Sequence, residues 1–127
     1  MAKTIATIVG AVFILVGIVG FVAPNFLGAH LGTSHNIVHL VSGAVSLYLG
    51  MKGTIDQART FCLVFGIVYG LLGVVGFIAG NGPDRMLNID ALGLMFGTVD
   101  HVIHIVIGVL YLIGGLMKKD VAARATT

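Results

Sequence analysis

Five histidines and a handful of aspartates hold the chemistry this chain can do. His35 and His39 are four residues apart, and His101 and His104 are three apart. On helices each pair shares one face. Asp100 adds a carboxylate beside the second pair. Several chemistries suit such a set. His39 and His104 can act as axial ligands to a b-type haem, with Gly43 and Gly108, each four residues further on, clearing room for the porphyrin. His35, His39, His101, His104 and Asp100 can instead hold a divalent transition metal such as zinc, copper or iron. A third role is packing: His39 and His104 hydrogen-bond across two helices with Asn36 and Asp100 as partners, at roughly 0.6 kcal/mol per bond in a membrane. Imidazoles that titrate near about pH 6.5 also suit proton or substrate passage. Sequence leaves all four open, and packing demands least. His30, between Gly28 and Gly32, stands apart and is expected to be solvated, with accessory ligation as the alternative.

The elements that position these residues are membrane helices. The chain is 57% hydrophobic and 9% charged, with mean hydropathy +1.08, which places it outside the soluble classes. A helix needs roughly 20 apolar residues to cross a bilayer core, and lipid offers no water to unpaired backbone. The expected architecture is all-α: an integral membrane four-helix bundle with spans at about 4–23, 35–52, 60–80 and 99–117. A cleaved signal peptide over Thr4–Ala23 is not expected, because no small-x-small site follows it. Thr33 and Thr98 are candidate N-caps for the second and fourth helices, placing His39 and His104 at equal depth.

The bundle reads as one hairpin written twice. Ile8–Ala23 matches Val64–Ala79 with 8 identities in 16 positions at an offset of 56. Thr33–Gly50 matches Thr98–Gly115 with 6 identities in 18 at an offset of 65, pairing His39 with His104 and Gly43 with Gly108. The repeats run over about 4–52 and 60–117 within one transmembrane domain. Gly10 and Gly17 in the first copy and Gly66 and Gly73 in the second are one heptad apart, Gly20 and Gly76 continue each line, and all are candidates for close helix packing, with Gly70 completing a small-xxx-small pair. Lys3, Lys52, Arg59, Lys118, Lys119 and Arg124 fall on the side of the termini and Arg85 on the other, which predicts both termini in the cytoplasm.

Other classes find little support. Cys62 is alone, so no intrachain disulfide forms, and nothing pairs it with a base. There is no glutamate, no phosphate-cradling glycine loop and no aromatic run for nucleic acid. The sequence favours a non-enzymatic membrane protein, a packing or partner subunit, with membrane redox chemistry as the enzymatic class left open. Its expected partners are the lipid bilayer and a homo-oligomer or larger membrane complex. In the second outer loop, Asn81–Asp84 is a turn signal, and Met86–Phe96 is expected at the interface as a short helix or re-entrant piece, with a lid over the histidine cluster as the alternative. Asn88 and Asp90 are expected to cap the fourth helix or orient a histidine from behind.

The run Leu31–Gly43 (LGTSHNIVHLVSG) resembles the second-helix motif of a bacterial four-span family described as domain of unknown function 4383. Gly10–Ala23, with its Val-Gly-x-x-Gly-Phe element, is similar to that family's first helix, and Asn88-x-Asp90 followed by Asp100-x-x-x-His104-x-x-x-Gly108 to its fourth-helix ending. The resemblance covers most of the chain. It implies the fold and a place in the bacterial cytoplasmic membrane, and brings no activity, ligand or catalytic residue.

Overall fold

Small residues at helical spacing decide which sides of the helices meet. In the computed structural model, which describes residues 1–117, α1 (Ala2–Val22) buries Ala2, Ala6, Gly10, Gly17 and Gly20 and turns Ile8, Leu15, Ile18 and Phe21 outward. Large apolar side chains outside and small ones inside is the arrangement expected where lipid surrounds the protein and close approach drives association. The same pattern recurs in α3 (Ile55–Ala79), which buries Ala58, Cys62, Gly66, Gly73 and Gly76. The other two long helices are α2 (Thr33–Lys52) and α4 (Thr98–Leu116).

Each helix pairs along its length with its neighbour in sequence, α1 with α2 and α3 with α4; α2 touches α3 only sparingly. A Cβ placed on Gly17 would meet Leu40, and one on Gly73 would meet Ile105; Gly10 faces Leu47 as Gly66 faces Leu112. Gly20 lies against the Asn36 side chain and Gly76 against the His101 ring, too close for any larger residue. Gly70 has open space where a Cβ would go, but its backbone is what Gly108 approaches. The packing glycines thus serve contacts inside each helix pair. Between the pairs, Phe13, Tyr69, Ile107 and Tyr111 form a core in which Tyr111 donates to Ser46 Oγ at 2.9 Å and Tyr69 to Ser42 Oγ at 3.3 Å.

Three helices, α1, α3 and α4, are long and apolar enough to span a membrane, which makes this a membrane protein. At 20 residues, about 30 Å, α2 has the length but is less apolar because it carries Ser34, His35, Asn36, His39, Ser42 and Ser46. The ends differ in detail from the sequence expectation. Gly32 and Gly97, not Thr33 and Thr98, are the N-caps; both threonines are the first helical residues, so the equal registers survive. Thr54 and Gln57 form a reciprocal capping box that starts α3 just past the turn after α2.

The segment before α4, expected as a short helix or re-entrant piece, forms a hairpin. Leu87–Ile89 (β1) pairs antiparallel with Leu94–Phe96 (β2) across a turn closed by Gly93 at φ 66°. Leu94 and Phe96 are buried and Met95 is exposed, so alternation selects a strand that roofs the helices. Lys118, Lys119, Arg124 and the tail Lys118–Thr127 lie outside the described residues.

Candidate functional site

The histidines of α2 and α4 meet under that roof. His35, His39 and His104 are 3%, 4% and 2% exposed, and one ring nitrogen from each can be chosen so that all three lie within 4.8 Å of one another. The His35 and His39 rings are 4.1 Å apart between centroids, as the i, i+4 spacing on α2 requires, and His104 reaches His35 from α4 at 5.8 Å. Phe13 stacks on His39 at 5.2 Å, Phe96 stands edge-on to both His35 and His104 at 4.9 Å, and Tyr69 flanks His104.

Hydrogen bonding fixes one tautomer. His35 Nδ1 lies 2.7 Å from the His30 carbonyl oxygen, which can only accept, so Nδ1 carries the proton. In the neutral ring Nε2 is then a bare lone pair, and it is buried without a protein partner. His39 Nδ1 and His104 Nδ1 are likewise buried and unpartnered. Metal-ligating imidazoles are normally oriented through their other nitrogen in the way His30 orients His35.

His30 is not the solvated bystander expected from sequence. It is half-buried, and its Nδ1 donates to Asp100 Oδ2 at 3.0 Å while its backbone N–H reaches the same carboxylate at 3.1 Å. Asp100, 2% exposed, also accepts from Gly97 N at 2.9 Å and so caps α4. A chain of contacts therefore runs from Asp100 through His30 to His35. Asp84 adds a second carboxylate 3.8 Å from His30 Nε2 and accepts from Thr98 N.

Other expected members lie elsewhere. His101 is fully buried, but its Nε2 donates to the Arg85 carbonyl at 2.7 Å and its ring lies against Gly76, away from the trio. Arg85 in turn donates to the Phe77 and Ile78 carbonyls that end α3. Asp100 is committed to His30 and Gly97. Asn36 donates to the Leu31 carbonyl, so the expected Asn36 and Asp100 bonds to His39 and His104 are replaced by bonds to the loops before α2 and α4. Asn88 and Asp90 are exposed on the hairpin, and the capping expected of them is done by Asp100 and Asp84.

The two glycines expected to make room for a haem are used in helix packing. Gly43 and Gly108 do not clear a slot, because they face Gly10 and Ile14 on α1 and Gly66 and Gly70 on α3. Two cavities reach the trio, of about 270 Å³ and about 120 Å³, both smaller than the roughly 300–1,000 Å³ of ordinary ligand pockets.

Sequence reasoning missed His30, Asp84, Phe13 and Phe96. The aromatic pair has a visible signal, the Phe13/Tyr69 correspondence at offset 56 and the alternation Leu94-x-Phe96, whereas His30 and Asp84 depend on how two loops fold.

Searches among curated proteins and among solved structures returned no match. A family model does match, over residues 3–117, nearly the whole described chain. This chain belongs to the family described as domain of unknown function (DUF4383).

Proposed function

We propose that this protein binds a divalent transition-metal ion between α2 and α4, with His35, His39 and His104 as its ligands. What carries the proposal is the convergence of three imidazoles within 4.8 Å while each keeps a buried ring nitrogen with no protein partner. Helix packing alone is the weaker account, since each unsatisfied buried polar group costs about 1–3 kcal/mol and this arrangement leaves several. Three neutral imidazoles suit zinc, and also copper or iron; three protein ligands leave a further coordination position open. Zinc titration of the detergent-solubilised protein should show one ion per chain, lost in His39→Ala. A wild-type protein that takes up no zinc, copper or iron would overturn the proposal.

The frame around the site follows the same reasoning. In this reading α2 crosses the bilayer with the other three helices, and both termini face the cytoplasm of a bacterial cell. Supporting this, α2 runs antiparallel along α1, from Asn36 beside Gly20 to Gly50 beside Thr7. Lys3, Lys52 and Arg59 lie at the end of the bundle opposite Arg85. The chain is also read as a duplicated hairpin in one transmembrane domain, because glycine contacts in α1/α2 recur in α3/α4 at offsets of 56 and 65.

A further inference from the structure

The larger cavity lies between α2, α3 and the hairpin. It is lined by His35, His39 and His104, by Val38 and Val68 on the two sides of the sparse seam between α2 and α3, and by Leu92 of the hairpin. Val38 and Val68, 39% and 51% exposed, belong to the apolar outer surfaces of α2 and α3, so this side of the cavity faces lipid, and Leu92 borders it from the hairpin. From above the trio is closed, since Leu94 and Phe96 of the hairpin and Ala29 and Leu31 of the first outer loop are all buried. A ligand reaching the histidines through this cleft therefore travels from the bilayer.

Charge decides the head group. Three neutral imidazoles leave a bound ion's double positive charge uncompensated, and a low-dielectric site makes that costly. The nearest carboxylate, Asp100, already accepts from the His30 and Gly97 N–H groups. An anionic oxygen brought by a ligand would complete the coordination. Size and shape favour a slender tail: about 270 Å³, walled by Phe65, Tyr69 and Leu72, takes part of one alkyl chain and not a two-chain lipid.

Building on the metal reading above, we propose that the α2/α3 cleft binds a single-chain lipophilic carboxylate, a fatty acid in chemical class, with its head group on the ion held by His35, His39 and His104. The test uses the full chain in nanodiscs loaded with zinc, and a dodecanoic acid carrying a photoreactive diazirine. Labelling of α2 and α3 should require zinc and be competed by dodecanoate but not by dodecanol. Val68→Trp and, as a second variant, Leu92→Trp should each cut labelling by about tenfold, the loss of roughly two buried methylene groups. Both should keep zinc affinity within about threefold, since neither touches a ligand. Labelling that is equal without zinc, or unchanged in both variants, would overturn the proposal while zinc titration still upholds the metal site. Failure of zinc to bind wild-type protein would overturn both.

Discussion

Replacing Asp100 by asparagine should loosen the proposed metal site without touching any of its proposed ligands. The carboxylate accepts from Gly97 N at 2.9 Å, His30 Nδ1 at 3.0 Å and His30 N at 3.1 Å, all on Oδ2. Asparagine keeps one acceptor oxygen but removes the charge, turning charge-assisted bonds of about 1.5–3 kcal/mol into neutral ones of about 0.5–1.5. It also sets an NH₂ group where Oδ1 lies 3.2 Å from the His30 N–H, donor against donor. The held segment is the one whose carbonyl fixes the His35 tautomer at 2.7 Å. Loss of such a supporting contact lowers metal affinity by about 10–100-fold. Competition against a chromophoric chelator in detergent reads that change, and a thermal melt confirms the variant is folded. Asp84→Asn is the control: its carboxylate is exposed and 3.8 Å from His30 Nε2, so zinc affinity should shift by no more than about threefold. A folded Asp100→Asn protein binding zinc as tightly as wild type would refute the Asp100–His30–His35 chain.

Further outcomes follow from the same geometry. His101→Gln should leave zinc affinity within about threefold yet lower stability by about 1 kcal/mol or more, because His101 bonds the Arg85 carbonyl and not the trio; a large affinity loss in titration would put His101 back among the ligands. Gly76→Ala should destabilise by about 1–3 kcal/mol, its Cβ overlapping the buried His101 ring, whereas Gly70→Ala, with open space there, should shift stability by less than about 0.5 kcal/mol. Equal shifts for the two in detergent melts would contradict the packing. Tyr111→Phe, which removes the 2.9 Å bond to Ser46, should lower stability by about 0.6 kcal/mol and at most about 1.7. For topology, a membrane-impermeant maleimide on intact cells should label Asn25→Cys and spare Thr54→Cys in a Cys62→Ala background; the reverse pattern would invert the bundle.

Much of the frame was legible because membrane helices announce themselves by length and by glycine spacing. Gly10, Gly17 and Gly20 predict the face α1 turns to α2, and that is where Leu47, Leu40 and Asn36 are met. The i, i+4 spacing of His35 and His39 likewise places them on one face. His101 was grouped with the other histidines by its proximity to His104, although the offset of 65 pairs it with Asn36. Both of those residues sit against the terminal glycine of their own pair, Gly20 and Gly76, so the repeat itself held the information that separates His101 from the trio. The hairpin was hidden by composition: Met86–Phe96 is apolar enough to read as interfacial helix, and only the two-residue alternation of Leu94, Met95 and Phe96 marks a strand. His30 and Asp84 were not legible, because their roles rest on loop paths that bring residues 70 positions apart into one hydrogen bond.

X-ray absorption at the zinc edge of the loaded wild-type protein tests the central claim most directly. Three imidazole nitrogens at about 2.0–2.1 Å with one further light ligand are expected, and removing His39 by His39→Ala should drop the imidazole count or empty the site. A shell made of water and carboxylate oxygens alone, or sulfur from Cys62, would contradict a site built from His35, His39 and His104.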